Sequence, residues 1–543
     1  MRVYIAQLNP TIGDLVGNTD KILQAIDSAR EKNADIVVTP ELAITGYPPE
    51  DFLMMPHFIQ EVERQLSRII QATSGISIIV GLPRANGGDG KPISNSAAII
   101  SDGKILGYQD KALLPTYDVF SERRYFEPAK GYSAWEIAGK RVVVTICEDI
   151  WHHAELIKRG SYPHDPVEDV LELDPELLVN LSASPFNVAK VRERIFVCQT
   201  AAQTLSCPVV LCNQVGGNDS LIFDGHSLYI GENGNVLKVA HGFEEDGVLV
   251  DTDEELSAIS LNISIIKNLY DGLVLGVRDY FRKSGFKKAC VALSGGIDSA
   301  VVACIAGEAL GPENLLGVTM PSRYSSKGSV KDAKELAENL GIEFWEISIE
   351  NPFSSYLETL APFFGDRPAD VTEENLQARS RGMMMMAISN KFGKVVLATG
   401  NKSEMAVGYA TLYGDMCGGL GVISDVTKQQ VYDLAEWINR EGVVVPLSTI
   451  TKPPSAELRP DQKDSDSLPD YEILDNVLKS YVEDHLSPGE IVAKYGYSHD
   501  LVEDLIKMIH RNEYKRRQSA PGLRVSPKAF SVGRHFPIVQ RWV

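Results

Sequence analysis

A chain of 543 residues is long enough for two domains with separate cores, and its apolar and charged fractions are those of a globular protein rather than a disordered one. A formal net charge of -20 argues against nucleic acid or an anionic membrane as the main partner, because phosphate binding needs concentrated Lys and Arg. No run reaches the length of a membrane helix, no signal peptide precedes the first strand, and seven cysteines without paired spacing suit a reducing, cytoplasmic compartment.

In chain order, Arg2-Ala6 reads as a strand and 19–32 as a helix with Ile22, Leu23, Ile26 and Ala29 on one face. Strands are expected at 36–39 and 76–81, with a helix at 58–72 between them. A hairpin follows around Asp102-Gly103, then strands at 142–146 and 177–181, a helix at 188–204 and a strand at 209–213. Three closing strands, at 227–230, 236–240 and 247–250, complete an α/β layered half with a partly antiparallel sheet. The pattern breaks in the acidic stretch Asp251 to Glu255, which sets a domain boundary near 260 and divides the chain into 1–260 and 261–543.

After a helix at 264–283 the second half repeats βα units: a strand at 291–293 and a helix from 300, a strand at 315–320 and a helix at 329–339, a strand at 344–347, and a strand at 395–399. Strands alternating with helices indicate a parallel, doubly wound sheet with its ligands at the strand C-termini. Residues 450–470 are rich in Pro, Asp and Ser and read as a mobile loop, a candidate lid. Met383 to Met386 form a tetrad read as core or subunit contact.

The most telling stretch is Leu293-Ser294-Gly295-Gly296-Ile297-Asp298-Ser299, between a strand and a helix. Glycines let a backbone approach a ligand, and the free N–H groups of a helix start face negative charge. This is not a Walker A loop, because Asp298 stands where that loop has Lys. An acidic residue beside phosphates points to a divalent cation between them. The pattern resembles the pyrophosphate loop of the N-type ATP pyrophosphatases, which adenylate a carboxylate or carbonyl oxygen; the bland alternative is a glycine turn in an ordinary βα unit.

In the first half Glu41, Lys111 and Cys147 each stand just after a strand. Singly, a Cys at a strand end is ordinarily a small core residue, and a loop Glu or Lys is ordinarily solvated. Together they make a covalent-catalysis set of thiol nucleophile, general base and oxyanion cation. Pro40-Glu41-Leu42, Asp110-Lys111-Ala112-Leu113-Leu114-Pro115 and Ile146-Cys147-Glu148-Asp149-Ile150-Trp151 resemble the three signature blocks of the nitrilase superfamily, in its glutaminase branch. The resemblance implies a four-layer αββα sandwich, and L-glutamine bound by Tyr117, Glu148, Ser184 and Lys190; packing for Tyr117 and a surface charge for Lys190 stay open.

Downstream, Glu374 to Arg379, Leu397 to Glu404, Gly414-Asp415-Met416 and Ser526 to Phe530 resemble the NAD synthetases. The resemblance implies that Ser294, Gly295, Gly296, Asp298, Ser299 and Thr399 hold ATP, that Asn375, Glu404 and Lys528 hold deamido-NAD, and that Asp298 and Glu404 bind Mg2+. Arg323 would meet phosphate or form a salt bridge, and Lys428 is a similar candidate. The implied reaction adenylates the nicotinate carboxylate and amidates it with ammonia from glutamine, guarded from protonation on its way. The family also implies at least a dimer.

Two rivals remain at this point. One is a tRNA-modifying pyrophosphatase that uses the basic run Arg511 to Arg517; the other is a glutamine sensor whose first half only binds.

Overall fold

The computed structural model describes residues 1–156 and 162–542. The chain divides into two compact units, Met1–Ile263 and Ser264–Val543. Val543, the end of the second expected domain, lies outside the described residues.

The first unit is built on two six-stranded sheets. One runs Asp246–Asp251, Arg2–Gln7, Ile36–Val38, Ser77–Ala85, Ile93–Ser101, Lys104–Asp110. The other runs Val236–Val239, Leu228–Ile230, Val209–Asn213, Leu177–Ser182, Lys140–Ile146, Ala134–Ile137. Each sheet has three parallel strands at its centre and antiparallel strands outside.

Alternation along a strand sends successive side chains to opposite faces, and the core divides accordingly. Val38, Ile79, Val144 and Val179 pack between the sheets. Val37 and Ile78 turn the other way, to Ile22, Ile26, Val62 and Leu66 of the helices Leu15–Glu31 and Pro56–Ala72. Val143, Leu178 and Val209 meet Val197 and Ala201 of the helix Lys190–Leu205. Helix, sheet, sheet, helix is the αββα sandwich.

The Leu15–Glu31 helix starts four residues before the expected Thr19, because the Asp14 side chain accepts the Gly17 N–H and caps it. The edge strand Ala134–Ile137 and the hairpin of Val215–Asn218 with Leu221–Asp224 were not expected. The hairpin carries glycines that weaken a strand pattern.

The second unit holds a parallel five-stranded sheet in the order Glu343–Glu346, Leu315–Thr319, Ala289–Ala292, Val395–Ala398, Leu420–Gly421. The order reverses at Ala289–Ala292, the place where doubly wound sheets open a crevice. The helix that follows, Ile297–Leu310, is apolar nearly all round and buried from Ile297 to Ala306 apart from Asp298. It begins three residues before the expected Ala300, so Asp298 and Ser299 stand in its first turn.

The 450–470 stretch is not the unpacked loop that its composition suggested. It contains the end of the helix Leu447–Thr451 and the turn Asp464–Asp466, and Leu468 enters a hydrophobic core with Leu474 and Val477. Helical spacing splits the methionine tetrad: Met385 is buried, whereas Met383 and Met386 are exposed. Among the described residues no helix is long and apolar enough to cross a membrane.

Candidate active sites

In the first unit the strands Ile36–Val38, Ser77–Ala85 and Lys104–Asp110 run in one direction, as the pairings between them require. Glu41 and Lys111 leave from the same end of that sheet. Lys111 Nζ donates to Glu41 Oε1 at 2.7 Å and to Glu122 Oε1 at 2.7 Å, and all three residues are buried. Burial alone would lower the lysine's pKa; the carboxylates of Glu122 and Glu41 overcome it and hold the ammonium well above its ordinary value. Glu41 is fixed further by Asn95 Nδ2 at 2.7 Å and by the Ala183 N–H at 3.1 Å.

Cys147 follows the strand Lys140–Ile146 with φ +44, a left-handed conformation that costs a non-glycine residue on the order of 1–3 kcal/mol. The turn is held by Asp149. Its carboxylate accepts the N–H of Ile146 at 3.0 Å, of Ala112 at 3.1 Å and of Leu113 at 2.9 Å. The cysteine loop and the lysine loop are thus tied to one side chain. Burial pushes the Cys147 thiol well up, Glu41 adds to the rise and Lys111 opposes it. The resting group is therefore a thiol that needs a base, as Glu41 could supply.

The expected glutamine-binding residues each have local partners. Tyr117 OH donates to Glu148 Oε1 at 2.9 Å, as Tyr162 does at 3.1 Å, and burial raises the Glu148 pKa. Lys190 Nζ stands 3.8 Å over the Trp151 ring and 3.2 Å from Glu193, with its pKa lowered by burial. Ser184 is buried, its N–H given to Asn213 Oδ1 at 3.0 Å. Glu122 was missed by sequence reasoning; Ser121-Glu122-Arg123 has no local signature.

The second unit contains a cavity of about 470 Å³ at the switch point of its sheet. Ser294, Gly296, Asp298 and Ser299 line it from the glycine loop, and Thr399, Asn375 and Glu404 line it from other elements. Gly295, expected among the ATP contacts, does not line the cavity. It is buried with φ +78, and a Cβ there would stand 2.3 Å from the Ser329 carbonyl oxygen, so its role is close backbone approach. Lys528 is not brought to the cavity either. It lies beside a smaller pocket with Tyr481 and Arg534, and its Nζ donates to the Gly533 carbonyl at 2.6 Å.

Each member of Asn401-Lys402-Ser403-Glu404 has its own partner. Asn401 accepts the Glu404 N–H to cap the helix Lys402–Val407 and gives its Nδ2 to Asp298 Oδ1 at 2.8 Å. Lys402, fully buried, pairs with Glu483 at 2.6 Å and Asp425 at 3.0 Å. Ser403 donates to Asp475. Glu404 lies 3.3 Å from Lys428 Nζ, which also donates to Asp298 Oδ2 at 2.6 Å. Burial, partly offset by Lys428, raises the Glu404 pKa.

Arg323 forms the salt bridge rather than a cavity contact; it pairs with Glu350 and Ser354 at the surface. Lys452 and Lys515 also line the cavity; Lys515 belongs to the basic run, and Lys452 was not singled out from the sequence. Two cations of the basic run are engaged internally. Arg516 is buried and bonds to Glu513 and to the carbonyls of Met405 and Ala406, and Lys515 donates to the Gly408 and Ala410 carbonyls. The histidine–carboxylate group of His153, Asp165 and Glu168 offers no ring nitrogen to a metal, because Asp165 and Thr204 engage both, each at 2.8 Å.

Residues 2–258 match the family model of carbon–nitrogen hydrolases, and residues 269–519 match that of NAD synthases. A glutamine-dependent NAD(+) synthetase from Synechocystis is 45% identical, with 99% of this chain and 98% of that protein covered. Its counterpart from Thermotoga maritima is 42% identical over 100% of this chain and 99% of its own length. The solved structure of glutamine-dependent NAD+ synthetase from Acinetobacter baumannii in complex with ADP superposes with a TM-score of 0.79 at 39% identity, covering 100% of this chain and 99% of that one.

Proposed function

The chain belongs to the glutamine-dependent NAD(+) synthetases, ligases that form a carbon–nitrogen bond, and from that premise we propose how its residues divide the work. Met1–Ile263 hydrolyses L-glutamine, and Ser264–Val543 adenylates and amidates deamido-NAD. The supporting observation is that one chain carries both a buried Glu41–Lys111 pair electrostatically coupled to Cys147 and a nucleotide-sized cavity with Asp298 and Glu404 in its wall.

In the first unit Glu41 takes the Cys147 proton as Sγ attacks the glutamine amide carbon. Lys111 faces the developing oxyanion, the proton passes to the leaving nitrogen, and ammonia departs from a thioester. Water, activated by Glu41, then releases glutamate. Tyr117, bonded to Glu148, would line the amide pocket, and Ser184 and Lys190 would hold the substrate's α-amino-acid end.

In the second unit a nicotinate carboxylate oxygen attacks the α-phosphorus of ATP and pyrophosphate leaves. Ammonia then attacks the acyl carbon and AMP leaves. Ser294, Gly296, Ser299 and Thr399 hold the ATP, and Asn375 and Glu404 the dinucleotide. We add Lys452 and Lys515 as cavity cations facing phosphate or carboxylate. Gly295 acts through the loop's shape.

The donor set fits Mg2+: Asp298 and Glu404 offer carboxylate oxygens that converge on one cation position, held here by the Lys428 ammonium. When bound, the ion would neutralise charge on the phosphates. Met383, exposed on the helix Val371–Phe392, is an apolar side chain that a subunit contact would cover in an assembly of at least a dimer.

The direct test is pyrophosphate release with ATP and deamido-NAD, with and without glutamine. Release that needs deamido-NAD, and NAD that forms when glutamine is added, are expected. Release independent of deamido-NAD would overturn the assignment.

A further inference from the structure

The cation position between Asp298 and Glu404 is filled from within the chain. Lys428 Nζ lies 2.6 Å from Asp298 Oδ2 and 3.3 Å from Glu404 Oε1, and its side chain is 3% exposed. The remaining Asp298 oxygen accepts from Asn401 at 2.8 Å. Lys428 has little freedom to leave by a backbone shift. It is the first residue of the helix Lys428–Ile438, after a Thr427 capping box, and its N–H is given to Ser403 Oγ at 2.9 Å. Its ammonium also stands 5.2 Å from the centre of the Tyr471 ring.

A magnesium ion needs its oxygens at about 2.0–2.1 Å. It cannot share this position with an ammonium ion already in contact with the same oxygens. Displacing a buried ammonium with nothing to receive it is costly. The cavity beside it, which Lys428 also lines, is where a polyphosphate would bring acceptor oxygens.

We infer that Lys428 is a resident cation that keeps the divalent ion from this position until nucleotide binds and yields its place when the nucleotide's phosphates arrive, so that metal and nucleotide load together. This rests on Asp298 and Glu404 being the metal ligands proposed above.

The test is binding of Mn2+ as the metal probe, measured by electron paramagnetic resonance on the full-length protein without nucleotide and with α,β-methylene-ATP. Lys428→Gln should bind Mn2+ about tenfold or more tightly than wild type without nucleotide, and Lys428→Arg should not. A folded Lys428→Gln protein with wild-type affinity would overturn the inference. So would a wild type that binds Mn2+ as tightly without the analogue as with it, a comparison that needs no variant. Asp298→Asn separates the two readings: unchanged Mn2+ affinity in its analogue complex would overturn the ligand assignment itself.

Discussion

Asp149 Oδ1 accepts the backbone N–H of Leu113 at 2.9 Å and so joins the loop that carries Lys111 to the loop that carries Cys147. The same carboxylate also takes the N–H groups of Ala112 and Ile146. An amide oxygen can replace one side of this bridge but brings N–H donors to the other. Misplacement of reacting groups by about 1 Å can cost on the order of 100-fold in rate. Asp149→Asn is therefore expected to cut glutamine hydrolysis by about that factor while ammonium-driven NAD formation stays near wild type. Equal loss of both activities would contradict the bridge's local role.

The same residue gives a pH signature. Burial raises Asp149 from an ordinary carboxyl value to about 7, against the pull of its backbone donors. A raised folded value means that the folded state holds the proton more tightly than the unfolded one. The contribution to stability is complete below the unfolded value, near 4, and is lost as pH rises through 7. The melting-temperature advantage of wild type over Asp149→Asn should thus be larger at pH 5 than at pH 8; an advantage that grows with pH would contradict it.

Glu122 shares the Lys111 ammonium with Glu41 at the same 2.7 Å. Removing its charge leaves the ammonium to Glu41 alone, which weakens Glu41 as a base. Glu122→Gln is expected to lower kcat for glutamine by about ten- to a hundredfold with little change in KM, less than the roughly 100- to 10,000-fold that loss of a general base itself costs. Steady-state glutaminase kinetics check this; a rise in KM at constant kcat would assign Glu122 to binding instead.

The layered α/β character of the first unit and the parallel sheet of the second were readable because period-two and helical patterns, with glycine loops, stand close together in sequence, whereas the count of four layers rested on the resemblance of the strand-end blocks. Glu41, Lys111 and Cys147 could be singled out because each ends a strand inside a distinctive block. What was not readable depends on distant partners. Glu122 acquires meaning only through Lys111. Lys515 stands in a basic run whose sequence does not show that its ammonium bonds to the Gly408 and Ala410 carbonyls beside the cavity. Pro and Asp around 450–470 suggested a free loop, yet Asp464 receives the hydroxyls of Tyr409 and Tyr471, and Glu457 accepts the Ser329 hydroxyl. Gly295 looked like a phosphate contact because sequence cannot distinguish a glycine kept for a ligand from one kept for a neighbouring chain segment.

That distinction is testable. In Gly295→Ala a methyl group would meet the Ser329 carbonyl in a left-handed backbone position. Overpacking and strain of this kind cost about 1–3 kcal/mol each. The substitution should lower the melting temperature of the second unit and weaken ATP binding together. Weakened ATP binding at unchanged stability would make Gly295 a direct contact after all.

In the proposed division of labour Cys147 generates ammonia and the Asp298 loop consumes it. Cys147→Ala tests that division most directly, with NAD formation measured from glutamine and from ammonium chloride in parallel. Glutamine-driven formation should be abolished and ammonium-driven formation should persist. Loss of both, or survival of the glutamine-driven reaction, would contradict it.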